Sequence, residues 1–545
     1  MSKILNFLKG LLHSNSNENH ERAQWDSNAE YYLCTLGYAV GFGSLWRFPY
    51  LLYENGGGAF LIPYFIFVFI LAFPLFYMET AIGQSFKTSV TGCFEKVSKK
   101  FKGVGLSELI ITFFMGSYYN LLMAYAIIFF VKSFSWPLPW KVEDPDETGA
   151  LWNPEYFKHD ILNLTSGISE LGSINVPILL ASLTSFFICY LCIAKGLKMT
   201  GKVAYITSPA PYFFLIVFLF RGVFLDGAWD GIKFLFAVDW SKLFNLTTWY
   251  RAANQVLFQY SLATGTLFAF ASYKESHQSL MKPAFIIPGI TALTGILCGL
   301  TVFTYMGHMA KVAGVSLNEL PLSGPDLVFV AYPAALTLMP GSTIWSILFF
   351  VMLFFLGIDT EFAFMETIAG YLEDEKIKIF GKDLRMEVSR IIIMLALFLA
   401  GFILNFDGGF HFLAFYDDYS TIVPMMVAAL LECVVFGWVY GTDRIDRMIL
   451  KNTGEKFPAY ATICIKYIAI PILGILMIGS FIKLVFIDLF NYPWWGGLIG
   501  LTLMGMPISS IIYFYKKYKN EKIEIQEGDE AWIELTEPMN KFGSY

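Results

Sequence analysis

Apolar positions in this chain come in unbroken runs separated by polar stretches, rather than along one helix face or at alternate strand positions. Crossing ~30 Å of hydrocarbon at about 1.5 Å per residue takes about 20 residues. Runs of that order fall near 30–53, 59–83, 107–133, 176–194, 203–224, 250–273, 284–306, 342–371, 389–405, 420–440, 461–484 and 495–515. The pattern predicts an all-α polytopic membrane protein of about twelve spans.

Two of these runs are interrupted. The first contains "GYAVGFGSLWRFPYLLYENGGGAF", with several glycines, Arg47 and Pro49. The sixth, "NQVLFQYSLATGTLFAFASY", is broken by Gln259, Ser261, Thr264 and Gly265. Irregular backbone at membrane depth is tolerated where it lines a buried cavity. Broken helices five spans apart predict an inverted-repeat transporter with its site near the midplane. A kinked packing helix would explain one break but not the matched pair.

Composition supports the membrane reading. The 545 residues are 56% hydrophobic and 15% charged, against about 25% charged in soluble domains. The net charge of −6 adds little, because the charges lie in loops and tails. Lysines and arginines collect in the connections after even-numbered spans, as at Lys96, Lys99, Lys100 and Lys102, while the loop 134–175 is acidic. By the positive-inside rule both termini are cytoplasmic. The "NLT" sequons at Asn163 and Asn245 then lie outside as glycosylation candidates.

The seven cysteines make no metal-spaced cluster or disulfide framework, and Cys189 and Cys192 read as packing residues. No cleavable signal peptide is evident. "MSKILNFLKGLLH" reads either as an interfacial amphipathic helix or as a frayed tail.

The quoted first-span stretch resembles the signature of the neurotransmitter:sodium symporter family. "PLFYMETAIGQ", "GSYYNLLMAYA", "LPLSGPDLVFVAYPAAL" and "FFLGIDTEFAFMETIAGYLEDE" resemble its second and third spans, re-entrant outer loop and eighth span. The likeness covers about 22–515. It implies a cytoplasmic segment over 1–29, a first repeat over 30–224 and a second over 225–440 with the re-entrant loop near 315–340. Two further spans over 441–515 and an acidic cytoplasmic tail over 516–545 complete the chain.

The resemblance implies one sodium site from Gly37, Val40, Leu356, Asp359 and Thr360. A second, at Ala39, Ser44, Gln259 and Thr291, departs from the family pattern at Ser44, Gln259 and Thr291. Tyr64 and Gln255 match the family's chloride site, whose usual serines are replaced by Gln259 and Gly295. Substrate contacts are implied at Ala39, Gly41, Phe42, Gly43, Met115, Tyr119, Phe258, Ser261, Thr264, Thr360, Glu361 and Phe364. Gly41 stands where amine transporters carry an aspartate, which favours a solute bringing its own carboxylate. Arg47 with Asp417, or the adjacent Asp418, resembles the outer gate. Arg22, Trp25, Tyr273 and Asp374 resemble the inner gate, and Glu79 a brace for the unwound first span.

The expected function is sodium-coupled symport of an amino acid or related zwitterion by alternating access, with chloride an open question. No nucleophile–base pair or phosphate loop suggests an enzyme, and the partners implied are solute and lipid rather than nucleic acid. The plasma membrane is the expected location, an organelle membrane the alternative. A second reading is a transport-impaired scaffold or accessory subunit that binds a protein partner. Asp359 together with Arg47 discriminates between them, since a scaffold does not need both.

Overall fold

The computed structural model describes residues 22–142, 153–320, 324, 326–376, 378–379, 382–383 and 385–521. The N-terminal amphipathic pattern and most of the acidic tail lie outside the described residues. Among the described residues nine helices are long and apolar enough to span a bilayer: Gly58–Phe86, Lys99–Lys132, Val176–Ile193, Leu197–Val223, Met281–Ala313, Ser342–Asp374, Gly409–Thr453, Ala459–Phe486 and Trp494–Lys517. The remaining expected spans are shorter or broken. Met386–Ala400 is the ninth, while the first and sixth are each split into helical halves. The fold is all-α apart from a two-residue antiparallel strand pair, Lys378–Ile379 with Lys382–Asp383.

Proline leaves a repeated mark on the long helices. Wide π-helical turns at Gly43–Arg47, Val68–Ala72, Leu327–Ala331, Asp418–Ile422 and Cys464–Ala469 each end two residues before a proline, namely Pro49, Pro74, Pro333, Pro424 and Pro471. Proline donates no N–H and its ring crowds the carbonyl four residues back. Widening that turn relieves the crowding while the helix continues.

The first span runs as Asn28–Ala39, stops, and resumes through Gly43–Arg47 into Phe48–Glu54. Val40 leaves helical geometry at φ −112° and ψ 76°. The sixth runs Leu246–Gln259, breaks, and resumes as Thr266–Ser272. Its break holds Ser261, Ala263 and Gly265 at positive φ, a conformation that costs a non-glycine residue roughly 1–3 kcal/mol and persists only when its surroundings enforce it.

Neighbouring spans supply that enforcement. Thr112 of the third span donates to the Thr264 carbonyl at 2.6 Å, and Ala263 N–H donates to Glu79 of the second at 3.1 Å. Glu79 therefore hydrogen-bonds the sixth span, where the family resemblance had implied a brace for the first. The buried acid answers an N–H that the left-handed backbone turned away from its own helix.

The third and eighth spans pack along one another beside these breaks. On the periphery the exposed side chains are apolar: Phe213, Ile216 and Phe220 make a stripe along the fifth span. Such a surface suits hydrocarbon and would be a liability in water.

Candidate functional site

The two breaks meet at the centre. Tyr38, Ala39, Gly41 and Gly43 of the first span face Phe258, Gln259 and Ser261 of the sixth, with Met115 and Tyr119 from the third and Thr360 and Phe364 from the eighth. The cavity they leave is about 10 Å³, room for about one water. Tyr119 OH accepts from Phe42 N–H at 3.0 Å, and its ring lies 5.1 Å from that of Phe42 and 5.8 Å from that of Phe364.

Gly41 is a glycine for steric reasons. A Cβ there would fall 2.4 Å from Tyr119 OH and 2.5 Å from Thr360 Oγ1. Thr264 and Glu361 do not line the cavity. The Thr264 hydroxyl is engaged below it with Tyr38 OH at 2.8 Å and the Ser261 carbonyl at 2.7 Å. Glu361 is wholly buried, with neither carboxylate oxygen hydrogen-bonded.

Beside the first break, Gly37 meets Asp359. A Cβ on Gly37 would fall 2.2 Å from Asp359 Oδ2, so only glycine lets the carboxylate approach the end of the helix. Asp359 is buried and its Oδ1 has no hydrogen-bond partner. Thr360 Oγ1 donates to the Tyr38 carbonyl at 3.3 Å, tying the eighth span to the segment that unwinds at Val40. Leu356 lies one turn before Thr360 on the same helix. A carboxylate packed against the last turn of a broken helix, with one buried oxygen left without a donor, suits a hard cation.

The cavity is closed at both ends. At one, Arg47 Nη1 lies 3.4 Å from Asp417 Oδ2, and its guanidinium sits 4.5 Å above the Phe258 ring. Tyr118 OH donates to Asp417 Oδ1 at 2.7 Å, so the partner is Asp417 and not Asp418. Beyond this closure a vestibule of 160 Å³ is lined by Arg47, Tyr50, Arg251, Asp418, Lys483 and Asp488.

At the other end Arg22 pairs with Asp374 at 2.5 Å, donates to Ser272 Oγ at 2.9 Å and lies 4.8 Å above the Tyr273 ring. Trp25 N–H donates to the Tyr273 carbonyl at 3.1 Å, and the indole N–H to the Phe270 carbonyl at 3.0 Å.

Sequence reasoning missed several residues here. Tyr38 floors the cavity, and its signal was its place inside the interrupted stretch. Tyr118 and the Glu54–Arg251 pair, at 2.7 Å, support the Arg47 end. Thr88 donates to the Asp374 carboxylate at 3.0 Å. Nothing local in the sequence links these positions, which meet only through packing.

Asn163 and Asn245 are exposed, and Asn245 Oδ1 accepts from Thr247 N–H at the head of the sixth span.

Two broken spans around a central cavity, with an ion-pair closure at each end, define a multispan membrane transporter. The family model described as the sodium:neurotransmitter symporter family matches residues 22–521. A creatine transporter of Torpedo marmorata is 32% identical over 548 residues, covering 95% of this chain and 88% of its own length. Sodium- and chloride-dependent GABA transporter 2 of Rattus norvegicus is 32% identical over 507 residues, covering 89% of this chain and 84% of its own. The chain belongs to the sodium:neurotransmitter symporter family. It is an integral membrane transporter and not an enzyme.

Proposed function

We propose that the protein is a sodium-coupled symporter of an amino acid or a related small solute that carries its own carboxylate, working by alternating access. The observation that carries this reading is the juxtaposition of Asp359, its Oδ1 buried without a donor, with the unwound first span at the edge of the central cavity. In this reading Gly37, Val40, Leu356, Asp359 and Thr360 hold the sodium ion. Glycine at 41 leaves no acidic side chain to compete with a solute carboxylate beside that ion. Creatine and GABA, named for two relatives, each combine a carboxylate with a cationic group.

Sodium and solute act by binding the open and closed forms unequally, since a ligand with equal affinity for both shifts nothing. The Arg47–Asp417 closure faces outward and the Arg22–Asp374 closure faces the cytoplasm, following the placement of lysines and arginines in the loops. The small central cavity expands as one closure opens, and the vestibule above Arg47 gives the solute its approach.

The test is uptake of labelled amino acids and of creatine into proteoliposomes with and without an inward sodium gradient. Sodium-driven accumulation abolished by Asp359→Ala is the expected result. Accumulation that survives Asp359→Ala, or that ignores the gradient, would defeat the assignment.

A further inference from the structure

The second ion position implied by the family resemblance is filled by the protein itself. Gln259 sits at the last turn before the break in the sixth span, buried against the first, second and seventh spans. Its Nε2 donates to Ser44 Oγ at 3.1 Å and to the Thr291 carbonyl at 3.2 Å. Its Oε1 accepts from Tyr64 OH at 3.0 Å and from Gln255 Nε2 at 3.2 Å. An amide side chain has two N–H donors and two acceptor lone pairs, and all four are used. Reversing the amide would set its oxygen against the Thr291 carbonyl, so the network fixes its direction.

The residues therefore do not suit a second sodium ion with a chloride beside it. The Ser44 hydroxyl and the Thr291 carbonyl, oxygens that could gather a cation, already accept from the amide NH₂, while the Thr291 hydroxyl is turned to the Ile287 carbonyl at 2.9 Å. The hydroxyl and amide donors of Tyr64 and Gln255 that would cradle an anion already donate to the amide oxygen. Gly295 completes the arrangement, because a Cβ there would press to 3.1 Å from Gln259 Nε2. Gln255 also donates to the Gly43 carbonyl at 2.8 Å, linking the network to the broken first span.

We infer that the Gln259 amide is a built-in substitute for a cation–anion pair, so that the chain binds a single sodium ion, at Asp359, and works without chloride. The positive end of the amide dipole meets the oxygens, and its negative end meets the donors. The net charge of zero matches that of the ion pair it replaces. The count of one sodium rests on the function proposed above, whereas the role of the amide does not. The name of the GABA transporter 2 relative includes chloride dependence, so this chain would differ from that relative in its ion requirement.

Binding of ²²Na⁺ to the purified full-length protein in lipid nanodiscs tests this, with chloride or gluconate as the anion. Wild type should bind one sodium per chain, with a midpoint unchanged between the anions, and Asp359→Asn should abolish the binding. Gln259→Glu preserves size but turns an oxygen toward Ser44 and Thr291, and should add a second sodium without adding chloride dependence. Gln259→Ser uncovers the donors of Tyr64 and Gln255, and should make sodium binding chloride-sensitive by about tenfold or more. Two sodium ions in wild type, or a tenfold chloride effect there, would overturn the inference. So would a Gln259→Glu protein that is folded by thermal denaturation and gains no ion. Wild type binding no sodium would instead refute the symporter reading, leaving the Gln259→Glu result to judge the amide.

Discussion

In the orientation proposed above, neutralising Asp417 should open the outer closure. In the closed form Arg47 is buried, and its Nε and Nη1 have no hydrogen-bond partner. Its charge is answered by Asp417 at 3.4 Å and by the Phe258 face. At an effective dielectric of about 20, a pair at that distance attracts by about 5 kcal/mol. Opening returns both groups to water, so the closed state loses only the difference, about 1–3 kcal/mol for Asp417→Asn. At about 1.4 kcal/mol per decade, that raises the outward-open fraction by roughly 5- to 150-fold. Tyr118 keeps a partner in the new amide oxygen, which isolates the effect on Arg47. The assay is alkylation of Met115→Cys, on the cavity wall, by a membrane-impermeant thiol reagent added outside. Asp417→Asn should accelerate it by that factor, and Asp417→Glu should restore much of the wild-type rate. Equal rates in wild type and Asp417→Asn would show that the pair is a static contact.

Two further outcomes follow from charges away from the cavity. Arg390 and Glu366 form a two-point ion pair, at 2.8 and 3.1 Å, between the ninth and eighth spans, with side chains 3% and 1% exposed. Glu366→Gln leaves the buried guanidinium with Glu373 at 3.4 Å as its remaining carboxylate, beside the Met386 carbonyl at 3.2 Å, a loss of about 3–5 kcal/mol measurable as a lower unfolding midpoint. Paired Glu366→Leu and Arg390→Met should recover most of it, and a loss below about 1 kcal/mol would contradict the burial argument. Near the Arg22 closure, Lys87 donates to the Lys274 carbonyl, and Lys274 donates to the Ser279 carbonyl beneath the Tyr31 face. Burial pushes Lys274 down to about 8 against the pull of Glu455, with Lys87 adding to the drop. It pushes Lys87 to about 8 as well, with Arg22 adding and Glu275 opposing. Exposed lysine titrates near about 10.4, so between about pH 8 and 10.4 an open state binds more protons than the closed one, and the closed state strengthens as pH rises. Thiol accessibility from that side should therefore fall between about pH 7.5 and 9.5, less so in Lys274→Met. An accessibility that rises with pH would reverse the sign of the argument.

The spans, the two breaks and the family were legible in the sequence because each is written locally. Hydrocarbon thickness sets run length, and the clustering of Gly37, Gly41 and Pro49 in one run and of Thr264 and Gly265 in another marks a weakened helix. Asp359 and Arg47 stood out because charge is rare in such runs. Neither the Asp417 or Asp418 choice nor the true partner of Glu79 was legible, since each depends on which face of a distant helix turns inward. Asp417 and Asp418 differ by about 100° of helix rotation, and only the packing of the tenth span against the first brings Asp417 to Arg47. Gln259 shows the limit most clearly. Ser44, Gln259 and Thr291 all carry oxygen, so by residue type they remain compatible with a cation. Direction adds what residue type leaves out: Tyr64 and Gln255 donate to the amide oxygen, and the NH₂ is thereby turned to Ser44 Oγ and the Thr291 carbonyl. Tyr64 lies 195 residues from Gln259 in sequence, and no local pattern encodes which way an amide will face.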